Sequence, residues 1–452
     1  MSSSGDPEFL IEPRWLLPVA PGNAVLEGHA VAIRGGRILA VGPALELRQR
    51  YAGTTRLARE RHALLPGLVN AHTRACHTLL RGLPVRGPRL RWLGETLAPL
   101  ERRTLSADLV RDGTRLGVAE MLRAGITCYA DESPLPEEAA RVAAGAQVRA
   151  LIGLPVTDAA DGWAEDASAH LARAEALWDE YRNDARIGLY FAPQPAKGLS
   201  DATFMRVRRV ADELDARVVV HLDELARDDG FEGHIQRGGA DATGVADSAG
   251  RAQAPHAARR LADLQDLGLL RPGFGVIGAL GCAGKDAQLL SRHGAALIAC
   301  PQAELRLQGA TAVLPPARPL ALGTDTPAAV GALDILAEAR SAALLFALTP
   351  LEALRMATLG GATALGLGTQ IGSIEPGKSA DMTCLDLDNL GCRPAADVAA
   401  SILFGATRAQ VSDVWSAGRA VVSEGRLRLF DEAELAALAA HWAHRLSLEV
   451  AA

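Results

Sequence analysis

The feature that most restricts the fold of this chain is a regular alternation, through its middle, of short apolar runs with longer helical ones. GITCYAD precedes PEEAARVAAGAQV, RALIGLPV precedes the helical run from Glu165 to Asn183, and GLYFAP precedes DATFMRVRRVADELDA and then RVVVHLDE. Parallel strands cannot be joined by tight turns, so this alternation specifies a parallel sheet with helical crossovers. The further strand-like segments GFGVIGAL, AALIAC and PLALGTD favour closure into an eight-stranded barrel over an open sheet.

The two ends read differently. From Phe9 to about Leu65 short alternating runs are punctuated by glycine, as in HAVAIRGGRILAVG, where Val31, Ile33, Ile38 and Val41 flank a Gly35-Gly36 turn. The same texture returns in IGSIEPGKSADMTCLDL and VSDVWSAGRAVVSEGRL. Strand-rich ends so far apart share a core only by meeting in space. The expected α/β architecture is therefore a (β/α)8 TIM-like barrel over residues 66–367 and a small β-sandwich built from 1–65 and 368–428. An Ala- and Leu-rich C-terminal helix over 429–452 is expected to pack outside.

With 452 residues, 49% of them apolar, the chain can bury a barrel-sized core and a satellite domain. Its net charge of -6, from 47 basic and 53 acidic residues, provides neither a basic footprint for nucleic acid nor an acidic tail. The expected partner is a small molecule. Cys76, Cys128, Cys282, Cys300, Cys384 and Cys392 form no CxxC pair and read as reduced thiols of a cytoplasmic protein. A signal peptide and a membrane span are not expected, since no basic segment leads into an apolar one and no run of about 18 apolar residues occurs.

In a barrel, the strand C-termini and the loops after them converge on one mouth, so polar residues there mark the chemistry. LLPGLVNAHTRACHTLLRGL places His72 just after an apolar strand, RVVVHLDE places His221 and Glu224 at another strand end, and PLALGTD places Asp325 at a third. Imidazoles with a carboxylate are what a hydrolytic zinc site needs, with a nearby glutamate to move a proton from metal-activated water to a leaving amine. Taken singly, each has a blander reading: a lone histidine after a strand is usually structural, and Asp in GTD would serve as a turn residue or helix cap.

Several strings together make the pattern specific. LLPGLVNAHTR resembles the amidohydrolase PGLVNAHTH motif, HLDE its HxxE strand end, ALGTD its metal-binding aspartate strand, and GSIEPGKSADM the signature of the sheet after the barrel. With LRMATLGGATALGL and VSDVWSAGR, the similarity runs from about Phe9 to Leu427 and points to the methylthioadenosine/S-adenosylhomocysteine deaminases and triazine hydrolases. That resemblance implies one divalent metal, zinc or else iron or manganese, held by both histidines of HTH, the histidine of HxxE and the aspartate of GTD. Carried over, the metal ligands are His72, His221 and Asp325, with Glu224 and Asp325 catalytic. Glu101 falls where the deaminases grip ribose hydroxyls and Arg149 where they keep a substrate arginine. Relatives are commonly homo-oligomers, which implies a homodimer or larger assembly.

The sequence departs from the pattern at the mouth. Arg74 stands where the second metal histidine belongs, and a guanidinium has no lone pair for a metal. Gly278 replaces the histidine that orients the attacking water, Asp223 a histidine of the HLHE form, Gln194 a substrate histidine, and Ala303-Glu304 a Ser-Asn pair. If no metal is present, Asp325 and Glu224 need another cation, and Arg74 is expected to supply it by pairing with one of them. His77 is not expected to restore the missing ligand, because five residues beyond His72 the chain has changed direction and depth. Lys197 is not expected to bridge two metals, since it lies in a loop.

Three readings follow. The chain is a degenerate relative that has lost zinc-dependent deamination and binds a small molecule or pairs with an active paralogue. Alternatively, it is a working hydrolase of non-peptide C–N bonds with a reduced His72/His221/Asp325 site, or it does metal-free chemistry with Arg74 as electrophile and Glu224 or Asp223 as base.

Overall fold

The computed structural model describes residues 6–22, 24–85, 87, 89–195, 198–222, 260–282, 284–308 and 320–451. The chain opens with β1 (Phe9–Leu16), β2 (Leu26–Glu27), β3 (His29–Arg34), β4 (Arg37–Pro43) and β5 (Thr55–Pro66). Gly35 and Gly36 both adopt positive φ, which lets β3 and β4 pair as a tight hairpin.

Immediately after β5 the chain enters the barrel. Its strands are β6 (Leu68–Thr73), β7 (Ile126–Asp131), β8 (Arg149–Val156), β9 (Ile187–Pro193), β10 (Arg217–His221), β11 (Phe274–Ile277), β12 (Ala296–Ala299) and β13 (Ala321–Leu322). They form one sheet in sequence order, parallel throughout. β6, β7 and β8 are buried along their whole length, as strands sandwiched between a barrel interior and a ring of helices must be. The ring closes where Thr73 bridges Asp325 and the amides of Thr324 and Asp325 both donate to the His72 carbonyl, at 2.9 and 3.1 Å.

Beyond the barrel come β14 (Met382–Asp386), β15 (Val411–Ser416), β16 (Arg419–Ser423) and β17 (Arg426–Leu427). β14 pairs antiparallel with β5, so both ends of the chain belong to a second, nine-stranded sheet. The expected sandwich is this one sheet curled over on itself. Met382 and Trp415 share a core with Ile11, Val31, Ile33 and Ile38, while the alternate residues Leu10, Ala30 and Ala32 pack on Leu47 of the helix Ala44–Arg50 and on Tyr51, which follows it. Arg59 on β5 donates two 2.9 Å hydrogen bonds to Asp413 on β15 across 354 residues of sequence. The closing helix Glu432–Ala451 lies on the outside, with Trp442 buried and its indole nitrogen donating to Asp112 at 3.0 Å. No helix among the described residues is long and apolar enough to cross a membrane.

Two consequences are measurable. The helix Ala107–Arg123 approaches the turn at 75–80 so closely that a Cβ on Gly113 would lie 2.2 Å from the Cys76 carbonyl oxygen. Gly→Ala in a helix ordinarily gains about 1 kcal/mol, but overpacking costs about 1–3 kcal/mol, so Gly113→Ala should lower the thermal midpoint. Burial alone would raise the Asp413 carboxyl, but hydrogen bonds from Arg59 and Ser412 outweigh it and hold the group below its ordinary range. A carboxyl lowered on folding stabilises fully above its unfolded value, about 3.9, and loses that stabilisation as pH falls through the folded one. The gap in thermal midpoint between wild type and Asp413→Asn should be present at neutral pH and shrink below about pH 4.

Candidate active site at the barrel mouth

The carboxyl ends of the strands bring together side chains that are far apart in sequence. His72, the last residue but one of β6, is fully buried, with Nδ1 3.8 Å from Glu132 Oε1 and Nε2 3.6 Å from Asp325 Oδ1. Neither ring nitrogen of His72 makes a hydrogen bond among the described residues. His221 ends β10, packs edge-on against His72 with ring centres 4.9 Å apart, and places Nε2 3.0 Å from Glu132 Oε2. Arg74 donates to Gln194 Oε1 at 2.9 Å and lies 3.7 Å from Glu132 Oε2. Arg89 Nη1 donates to Asp325 Oδ2.

Asp325 is held with unusual firmness. Its φ of 54° lies in the left-handed region, which aspartate tolerates better than most residues, and its Oδ1 accepts the Thr326 amide at 2.8 Å. The field of the cluster keeps its acids ionised. Burial pushes the Glu132 carboxyl up, but His72, His221 and Arg74 outweigh it and bring it down to about 2. Burial likewise opposes ionisation of Asp325, yet Arg89 and His72 hold it well below the carboxylate range. Burial lowers the His72 imidazole against the pull of both acids.

The expected site residues fare differently. His72, His221 and Asp325 converge, and Gln194 joins them just after β9. Glu224 and Asp223 lie outside the described residues, as do Lys197, His234 and His256. Arg74 was expected to pair with Asp325 or Glu224; Arg89, not Arg74, engages Asp325, Arg74 reaches Glu132 and Gln194, and the Glu224 half of that expectation lies outside the described residues. Arg149 needs the larger correction. As the first residue of β8 it sits at the amino end of a parallel strand, facing away from the mouth, where it bonds the Ala185 carbonyl and lies 3.6 Å from Asp381.

Glu101 does reach the neighbourhood, with Oε1 3.1 Å from His77 Nε2, while His77 Nδ1 lies 2.9 Å from Thr326 Oγ1. Those contacts engage both ring nitrogens of His77. At Gly278 the backbone takes a φ of 113° and presents no side chain to the mouth. Glu304 accepts the amides of Leu280 and Cys300 at 2.5 and 2.6 Å, tying neighbouring segments together.

Sequence reasoning missed Glu132 and Arg89. Glu132 had a usable signal, since it follows the apolar strand ITCYAD just as His72 follows its own. Arg89 had none, because the short helix Arg89–Trp92 lies in an arginine-rich stretch with no periodic pattern.

The residues present fit a divalent metal in one respect and not in another. His72, Glu132 and His221 offer ligand atoms all within 4.8 Å of one another, and two imidazoles with a carboxylate suit zinc. The charges do not suit it. Each acid facing His72 already has a guanidinium, Arg74 near Glu132 and Arg89 on Asp325, and a dication only ångströms away would be repelled by both. Among the described residues the fit fails on charge.

A sequence model of the amidohydrolase family matches residues 63–421, and one of an imidazolonepropionase-like composite domain of bacteria matches 30–53. The chain is 32% identical over 458 residues to a 5-methylthioadenosine/S-adenosylhomocysteine deaminase of Teredinibacter turnerae, covering 99% of each chain. The corresponding deaminase of Saccharophagus degradans is 30% identical over 457 residues, covering 98% of this chain and 97% of its own. The crystal structure of an adenosine deaminase from Xanthomonas campestris with bound zinc superposes with a TM-score of 0.87 at 35% identity, covering 99% of this chain and all of that one. Atrazine chlorohydrolase from Arthrobacter aurescens TC1, complexed with zinc, shares the fold at a TM-score of 0.80 and 20% identity, over 96% of this chain and 100% of its own. This chain belongs to the amidohydrolase family.

The Arg89–Asp325 pair is buried, whereas Arg91 two residues on makes an exposed pair with Glu95. Arg89→Met leaves a buried carboxylate unpaired, a loss of about 3–5 kcal/mol, and should lower the thermal midpoint sharply. Arg91→Met should leave it unchanged. Adding Asp325→Asn to Arg89→Met should recover part of the loss.

Proposed function

We propose that this amidohydrolase-family chain binds a small molecule at its barrel mouth and that zinc-dependent hydrolytic deamination is lost or much reduced in it. The observation that carries this reading is the direction of Arg74. At the position where the resemblance calls for a metal-binding histidine, a guanidinium bonds Gln194 and faces Glu132. Gly278 supports it, since the place for a water-orienting imidazole carries no side chain. The relatives named as deaminases suggest an aminopurine nucleoside or a related cyclic amine as the ligand class. The same proposal includes a cytoplasmic location and assembly as a homodimer or larger oligomer, or with an active paralogue.

A second reading is favoured by His72, whose two unbonded nitrogens lie beside Glu132 and His221. A divalent ion held there would supply an activated water and polarise the scissile C–N bond. Glu132 would then serve in place of the histidine missing at position 74.

Ammonia release separates the two. Adenosine, methylthioadenosine, S-adenosylhomocysteine and an aminotriazine, each tested with and without added zinc, iron(II) or manganese, should give no turnover above heat-inactivated protein. Metal-dependent turnover of any of them would favour the second reading.

A further inference from the structure

We infer that Arg89 and Arg74 stand in for a divalent cation at the barrel mouth, so that the wild-type chain completes this site without metal. The inference rests on the proposed loss of metal-dependent deamination and names what replaced the ion. The two acids that face His72, Glu132 and Asp325, carry two negative charges, and the two guanidiniums return two positive ones. Ion and arginines are therefore alternatives at these two acids: with both, the four described groups that face His72 and the ion would together hold an excess of two positive charges.

The arrangement is built rather than incidental. Asp325 cannot turn away from its partner, because its amide donates to the His72 carbonyl and its Oδ1 accepts from Thr326, leaving Oδ2 for Arg89. Arg89 is steered inward by its own helix. Trp92, three residues on and hence on the same face, is fully buried and its indole donates to the Pro84 carbonyl at 3.1 Å, while Arg91 points to solvent. Arg74 is fixed by Gln194, itself just past the end of β9. A tethered guanidinium, unlike a bound ion, is not removed by a chelator and presents no open coordination position to water.

The test is metal uptake by the full chain, read separately from activity. Wild-type protein grown in zinc-supplemented medium and purified without chelators should hold no stoichiometric zinc, iron or manganese by mass spectrometry. Its thermal midpoint should be the same in zinc chloride and in EDTA. The Arg74→His/Arg89→Leu variant should take up one equivalent of zinc and show a midpoint that rises with zinc. One equivalent of metal in the wild type, with anomalous zinc density between His72 and His221, would overturn the inference, as would a folded double variant that takes up none. The wild-type measurements stand even if the variant does not fold. Metal without turnover would defeat this inference and leave the loss of deamination in place; turnover without metal would do the reverse.

Discussion

Closing the barrel and building its mouth are one event in this protein. The amides of Thr324 and Asp325 both converge on the carbonyl of His72, and that pair of hydrogen bonds joins the last strand to the first. The same contact sets the His72 ring 3.6 Å from the Asp325 carboxylate. The left-handed backbone at Asp325 is part of this arrangement, since the chain must turn sharply there to close the ring while aiming its acid inward. Whatever the mouth does, it does with two groups whose separation is fixed by the scaffold.

Electrostatics then decides what that fixed geometry can hold. Two buried ionised acids require two compensating charges, and how those are supplied separates a hydrolytic centre from an inert or binding one. A metal brings its charge with open coordination positions and an activated water, whereas arginine brings charge with directional donors only. The amidohydrolase scaffold is intact around the site: the parallel barrel, the curled sheet and the β5–β14 pairing all match what the family motifs require. The positions at which the resemblance implies other residues, Arg74, Gln194 and Gly278, lie at the mouth.

Much of this was legible in the sequence, for identifiable reasons. Barrel strands buried on both faces are apolar throughout and stand out against amphipathic helices, so the alternation announces the architecture. His72 and His221 lie at the ends of such strands and Asp325 just past another, where position along the chain translates directly into position at the mouth. Arg149 shows the limit of motif transfer. It begins a strand instead of ending one, and strand polarity places it far from the chemistry. Arg89 shows the limit of pattern reading, because its role depends on how Trp92 anchors a four-residue helix and on where Asp325 lies in space.

The way β5 is shared has a consequence for how the polypeptide matures. One edge of β5 is covered at once by β1, but the other pairs with β14, which is made only after the entire barrel has been synthesised. Throughout translation of the barrel that edge offers unsatisfied amides and carbonyls to any passing strand. The nascent chain thus depends on its late segment to seal its early one, and the interval between them is when self-association or a holding chaperone competes for the exposed edge.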